Sequence, residues 1–482
     1  MSTLLRRLRP SSRSAQGLLI ASVALAHSAL FIAYQQPDWN TQWRDQAGYL
    51  MLGRAVAQTG RFTRFPTTAD YVPEAIRTPA YPAFVALVDR IFGEHHVAIA
   101  GVQAVLIAMT CLLVYTIARD IFAGFAGFAG FAGFAGLPER VALAAGIVTA
   151  LYPPLPYYGA LVLTETLTTT LVTAAIAVWL RALRTNRAAA FVASGLLGAA
   201  AALTRPSFQF LPIFIAVAAL AARPRGHRPW RGALLMLVAF AAAVAPWIAY
   251  NAIYFRALTF SPAGGPGRQV FEGFWQAELP GRVEADLTAA ADAASDWALL
   301  DARVRAIAAR SQLPPDLAVT YVHQHLDIER IWMTPRDPNE RMRARIEADH
   351  EYLRVGLANI RQDLARYTWR RATRGAVLLW ASEIPVRYSD INGLSPLVIR
   401  LIWLTQVILF GLAIAGAVFL ARMGARVEAF VLGALLLYVT VVHMPIYSEA
   451  RYSLPAKPAV LLLAVVGVLG LVRRLPPSQS QT

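Results

Sequence analysis

"LVLTETLTTTLVTAAIAVWLRALR", Leu161 to Arg184, decides what kind of protein this is. From Leu161 to Leu180 the only charged residue is Glu165, and Arg181, Arg184 and Arg187 follow at once. A run of about 20 apolar residues is what an α-helix needs to cross the hydrocarbon core of a bilayer. Arginines gather on the cytoplasmic side of such spans, so the span runs from outside to inside and Glu165 lies near its outer end. A carboxylate there is costly unless it faces a cavity or a partner.

Runs of the same kind recur. The first is Gly17 to Tyr34, and others lie near 97–118, 141–157, 188–203, 207–222, 232–251, 397–420, 427–444 and 456–472. With 161–180 they make about ten expected crossings, some short enough for one to be re-entrant. The first follows "MSTLLRRLRPSSRSAQ" and is long enough to span, which favours an uncleaved anchor over a signal peptide. Composition agrees: 57% of the residues are hydrophobic and 15% charged, against nearly half and a quarter in soluble domains. The chain reads as an all-α polytopic membrane protein.

The charge is +16, and Lys457 is the only lysine. Arginines cluster in alternate loops: Arg6, Arg7, Arg9 and Arg13; Arg181, Arg184 and Arg187; Arg223, Arg225, Arg228 and Arg231; Arg422 and Arg426; Arg473 and Arg474. The positive-inside rule makes these loops, and both termini, cytoplasmic. Two longer segments, 35–96 and 252–396, then face outward. No basic stretch is interleaved with exposed aromatics, so the charge reports topology and not nucleic-acid binding. Cys111, the sole cysteine, lies mid-span and excludes intrachain disulfides and cysteine metal sites.

This topology divides the chain into an N-terminal membrane module (1–256) carrying the first outer loop, an extracytoplasmic segment (257–396) and C-terminal membrane helices (397–482). Within the middle segment, 283–372 alternates apolar and charged residues near a 3.6-residue period, with breaks at Pro314-Pro315 and at Pro335 and Pro338. It is expected to form a helical insert over the membrane part. "FAGFAGFAGFAGFAG", Phe122 to Gly136, is five identical tripeptides and reads as an expansion in a tolerant cytoplasmic loop.

The first outer loop carries the candidate chemistry. In "WRDQAGYLMLGRAVAQTGRF", Trp43 to Phe62, Asp45 shares a helical stripe with Tyr49, Leu52 and Val56. A carboxylate is thus placed on the apolar side of a juxtamembrane helix. "IRTPAYPAF", Ile76 to Phe84, follows; its prolines make an extended ledge presenting Arg77, with Tyr81 just before Pro82. A guanidinium at that level suits a lipid phosphate, which it grips with two parallel bonds. Arg205, in "LTRPS", is a lone charge at the same outer face, able either to neutralise Glu165 or to hold a phosphate. The last outer loop, "HMPIYSEARYSLPAKP", brings Glu449, Arg451 and Tyr452 just before the final span, and His443 reads as an interface histidine. His95-His96 and His323/His325 lack the carboxylate spacing of a metallohydrolase, and "GGPGRQ" at 264–269 reads as a flexible loop that opens no phosphate-cradling helix.

Taken together, "DQAGYLMLGRAVAQTGRF", "RTPAYPAFVALVDRIFG", "LTETL", "GAAAALTRPSFQFLP", "PWIAYNAIYF" and "EARYSLPAKPAVLLL" resemble the family 39-type, dolichyl-phosphate-mannose-like glycosyltransferases of the GT-C superfamily. The order of these stretches and their topology carry the likeness. The resemblance implies a GT-C-like membrane fold with extracytoplasmic juxtamembrane helices in the envelope (inner) membrane. It also implies inverting transfer of a sugar from a polyprenyl-phosphate carrier to a hydroxyl of a glycan, lipid or protein acceptor, on the periplasmic or extracellular face. The family places an acidic base, often an Asp-Glu pair, in the first outer loop; the matching position is Asp45, and Gln46 stands where the second acid would be. Arg77, Arg205 and Arg451 would bind the donor phosphate, Glu165 would orient the acceptor or an arginine, and Tyr49, Tyr81, Tyr452 and Glu449 would line the pocket. No metal is required, although a divalent cation shared by Asp45 and Glu165 stays open. A carrier or flippase for lipid-linked saccharides would share the greasy core, the arginines and the intramembrane acid, but would need no base.

Overall fold

The computed structural model describes residues 12–35, 44–123, 137–222, 229–279, 281–292, 297–381 and 395–472, whose regular elements are helices, with no strand among them. In chain order the first helices are α1 (Arg13–Gln35), α2 (Arg44–Thr59), α3 (Ala80–Phe92), α4 (His96–Ala123), α5 (Leu137–Ala150), α6 (Pro154–Gly159), α7 (Glu165–Thr185), α8 (Ala188–Thr204), α9 (Leu211–Ala221) and α10 (Pro229–Phe255). The insert contributes α11 (Pro266–Glu278), α12 (Gly281–Asp292), α13 (Trp297–Arg310), α14 (Pro315–Met333), α15 (Pro338–Gln362), α16 (Leu364–Arg370), a π-turn (Arg371–Gly375) and α17 (Ala376–Trp380). Then come α18 (Pro396–Arg422), α19 (Arg426–His443), a 3₁₀ segment (Ala450–Ala456) and α20 (Lys457–Val472). The Phe-Ala-Gly repeat beyond Ala123 and most of the N-terminal arginines lie outside the described residues.

Among the described residues, seven helical stretches are long and apolar enough to cross a membrane: α1, α4, α7, α10, the greater part of α18, α19, and Ala450–Val472. The other three expected crossings form shorter apolar helices. The 141–157 run divides into α5, of 14 residues, and α6, because Pro153 and Pro154 supply no amide hydrogens to continue a helix. Pro206, directly after Arg205, separates α8, of 17 residues, from α9, of 11.

The bends at membrane depth are satisfied by buried amide side chains, as irregular backbone in a low-dielectric interior requires. Gln103, fully buried on α4, donates through Nε2 to the carbonyls of Gly159 (2.9 Å) and Leu161 (2.7 Å) and accepts from the Tyr81 hydroxyl at 3.0 Å. Gln46 accepts the Val162 amide at 2.8 Å. Two glutamines thereby fix the turn that delivers Glu165 as the first residue of α7.

The membrane core is one apolar cluster running from Ile20 through Cys111, Ile176, Trp179 and Leu435 to Leu461. Its last helices cross on small residues, as packing without a hydrophobic driving force favours: a Cβ on Gly416 would run into the Leu463 carbonyl, and one on Gly467 into that of Leu412. Gly416→Val is therefore expected to destabilise the protein by about 1–3 kcal/mol, read as a lower unfolding midpoint in detergent. An unchanged midpoint would refute this close crossing.

The insert has its own core, in which Phe271, Trp275, Leu287, Val304, Ile307, Tyr321, Ile328 and Tyr352 pack together. Its breaks fall where the prolines stand. Pro315 and Pro338 each occupy the opening turn of a helix, where the missing amide costs nothing, and Asp337 caps α15 by accepting the Glu340 amide at 2.9 Å. The glycine-rich stretch 264–269, expected as a flexible loop, opens a helix, α11, whose first amides, Gly267 at 3.3 Å and Arg268 at 3.1 Å, donate to the Asp349 carboxylate.

Candidate functional site

The stripe on α2 behaves as its spacing demands: Tyr49 and Leu52 are buried, and Asp45 is half-buried one turn before Tyr49. Its Oδ1 accepts Arg77 Nη2 at 2.5 Å, and its Oδ2 lies 3.4 Å from Arg451 Nη1. Arg451 also reaches Glu165 Oε1 (3.8 Å), which in turn pairs with Arg205 Nη1 at 3.1 Å. One unbroken chain of alternating charge, Arg77–Asp45–Arg451–Glu165–Arg205, thus joins residues up to 406 positions apart in sequence.

Arg77 is aimed by a group the sequence reading missed. Glu74, fully buried, accepts the amides of Ile76 (2.7 Å) and Arg77 (3.0 Å) and is clamped by Arg64 Nε at 2.6 Å. A buried carboxylate is tolerable only with such partners. The signal was available: a carboxylate two and three residues before backbone amides in a proline-rich turn is a local folding device. Tyr49 then holds Arg77 from the side, its hydroxyl 3.1 Å from Nη1 and its ring 4.6 Å beneath the guanidinium carbon.

Glu165, 2% exposed, begins α7, where the amide end of the helix favours negative charge. Arg205 extends past the end of α8 and lies over the Tyr452 ring at 4.6 Å. Glu449 takes Arg451 Nε and is itself bonded by the Tyr447 hydroxyl at 3.0 Å. Tyr81 stands one layer back: fully buried, its hydroxyl committed to Gln103, it packs its ring edge-on against Tyr49 at 5.0 Å. His443 is buried beside the Tyr452 ring, at 4.9 Å. In the insert His323 pairs with Asp301 at 2.7 Å, and His325 meets the Tyr352 hydroxyl. No cluster of three or more His, Cys, Asp or Glu side chains suited to a metal occurs among the described residues.

Burial by itself would raise the Asp45 carboxyl. The guanidinium groups of Arg77 and Arg451, through charge and hydrogen bonding, outweigh it and hold the group well below the ordinary carboxylate range. About a third of the side chain, 34%, stays open to solvent, so screening trims the size of this effect but not its sign. Asp45 is therefore ionised at neutral pH and poorly basic while both arginines hold it. Arg77 is correspondingly fixed as a cation: burial opposes its charge, and Tyr49 and Asp45 restore it.

Residues 76–250 match the family model described as dolichyl-phosphate-mannose-protein mannosyltransferase. That stretch takes in Arg77, Glu165 and Arg205, and leaves Asp45, Glu449 and Arg451 outside. No curated protein matches the chain. Among solved structures, the oligosaccharyltransferase AglB from Archaeoglobus fulgidus, in complex with an inhibitory peptide and a dolichol-phosphate, aligns with 97% of this chain and 52% of its own at 13% identity and a TM-score of 0.48. ArnT from Cupriavidus metallidurans, bound to undecaprenyl phosphate, aligns with 97% of this chain and 82% of its own at 15% identity and a TM-score of 0.39. The chain thus spans about half the length of the archaeal enzyme. Over residues 76–250, which take in the Arg77 ledge and the acidic start of α7, the chain is thus similar to the dolichyl-phosphate-mannose-protein mannosyltransferase family.

Proposed function

We propose that the chain transfers a sugar from a polyprenyl-phosphate donor to an acceptor hydroxyl on the non-cytoplasmic face of the membrane, with inversion, and that Asp45 is the general base. The single observation supporting this most strongly is the Asp45 carboxylate bridged by Arg77 and Arg451 at the end of a juxtamembrane helix. Two guanidinium groups that can be shared between a carboxylate and an arriving phosphate are what such a transfer needs.

The donor's phosphate competes with Asp45 for Arg77 and Arg451. As these guanidinium groups turn to the phosphate oxygens, the carboxylate loses the partners that depress it, and burial raises its basicity. The acceptor oxygen then attacks the anomeric carbon from the face opposite the phosphate. Its proton passes to Asp45, the bond from the anomeric carbon to the phosphate oxygen breaks, and polyprenyl phosphate leaves with the bonding pair. The leaving group is already an anion, so it calls for charge neutralisation more than protonation, and the arginines supply that. Glu165 holds Arg451 and Arg205 in register. On this reading the donor binds before the base is active.

Reconstitution into vesicles with a radiolabelled polyprenyl-phosphate sugar tests the assignment. The label is expected to enter a new covalent bond with an added acceptor extract. Movement of intact carrier between leaflets, with no new bond, would replace the transferase by a flippase.

A further inference from the structure

The stretch immediately before Arg451 is gripped by the insert to an extent that loop packing does not require. Arg371, on the π-turn, is 2% exposed. Its Nε donates to the Met444 carbonyl at 2.7 Å, its Nη1 to Gln276 Oε1 at 2.9 Å, and its Nη2 to the Ser448 hydroxyl at 2.6 Å and to the Ile446 carbonyl. Gln276, on α11, accepts the Ser448 amide at 3.0 Å and donates to its carbonyl at 2.8 Å. The Tyr367 hydroxyl donates to the Pro445 carbonyl at 2.6 Å, and the Tyr447 amide donates to the Gln269 carbonyl at 3.0 Å. The loop lies so close to α11 that a Cβ on Gly273 would stand 2.6 Å from the Tyr447 nitrogen. Residues 444–448 are thus held along their length by side chains and backbone of the insert.

None of the groups receiving Arg371 bears a charge, yet burying a guanidinium against neutral acceptors is costly. Only the planar five-donor fork of arginine reaches so many points on one loop; lysine, a point charge with three donors, does not. The π-turn is a local distortion found frequently at functional sites, and Gly375, one turn on, leaves room for the fork: a Cβ there would stand 3.0 Å from the Arg371 guanidinium carbon. The loop so fixed continues into Glu449, which holds Arg451 between Asp45 and Glu165.

We infer that Arg371 is a positioning residue for Arg451, and that the insert serves to set the phosphate-binding arginine at the donor site. This rests on the reading of Arg451 as a donor-phosphate ligand. The insert acts through the backbone of residues 444–448, with no contact of its own to the reacting atoms.

The test is a double-mutant cycle on the full chain in detergent, with undecaprenyl phosphate as the probe and binding read by titration. Arg371→Lys should weaken binding by roughly tenfold, and the double variant with Arg451→Lys should bind no more weakly than Arg451→Lys alone, because both changes remove the same contact. A purely structural role gives additive losses, which would overturn the inference, as would Arg371→Lys binding like the unaltered chain. Tyr367→Phe, which deletes one hydrogen bond and leaves the fork, should weaken binding a few-fold and guards against a lysine variant that does not fold; undiminished binding in it also counts against the clamp. Arg451→Lys binding at full strength would overturn the phosphate reading itself, a result distinct from failure of the clamp.

Discussion

Asp45→Asn should lower transfer by about a thousandfold, the contribution expected of a positioned general base, while the protein still inserts and folds. The amide has nearly the shape of the carboxylate and can accept from Arg77 at the same place, so the geometry is kept and only the proton acceptor is lost. A second consequence separates this from simple damage. The carboxylate competes with phosphate for Arg77 and Arg451, at 2.5 Å and 3.4 Å. Its removal should leave undecaprenyl phosphate bound at least as tightly as before. A titration alongside the turnover assay reads both effects. Near-normal turnover would remove Asp45 from the role of base, and weakened phosphate binding would show that the carboxylate organises the arginines instead of competing with the donor.

Arg77→Ala should cost about a hundredfold in kcat/KM for the donor, the usual loss when one preorganised charge stabiliser is removed. The sign of its pH effect follows from Asp45. Arg77 helps hold that carboxyl below its ordinary range against the burial that would raise it. Without Arg77 the carboxyl titrates higher, so the acid limb of the donor kcat/KM profile moves to higher pH. The same linkage affects stability. A carboxyl depressed in the folded state stabilises it above the unfolded pKa of about 4 and loses that stabilisation as pH falls through the folded value. The alanine variant should therefore show less stabilisation by Asp45 at neutral pH and a flatter loss on acidification. Arg77→Lys, which keeps the charge but not the fork, should recover only part of the rate. An unchanged donor affinity in Arg77→Ala would end its phosphate role.

Several parts of the candidate site are legible in the sequence alone. Asp45 could be found because an amphipathic helix makes a misplaced charge visible through periodicity, and Glu165 because a charge in an apolar span is conspicuous. Arg205 and Arg451 stood out as lone cations in short, arginine-poor outer loops, and Arg77 as the guanidinium on a proline-fixed ledge. Glu74 and Arg371 did not stand out. Each lies among other charged residues, and each acts on backbone groups of a segment whose path is not encoded by local pattern. Gln46 looked like a departure from the acidic pair of the resembled family; its side chain proves to hold the Val162 amide at the entry to α7.

The sequence by itself determined that the chain is helical, that it lives in a bilayer, where its insert breaks, and which charged groups had to find partners. Hydrophobic length, proline position and the cost of a bare charge in hydrocarbon are local quantities, and a sequence carries them openly. Tertiary structure alone decided that Arg77, Asp45, Arg451, Glu165 and Arg205 form one alternating chain, that three expected crossings are short or broken, and that the insert grips the loop before Arg451. Those facts depend on how distant helices cross and which carbonyls a bend exposes, and no pattern within a single segment records either.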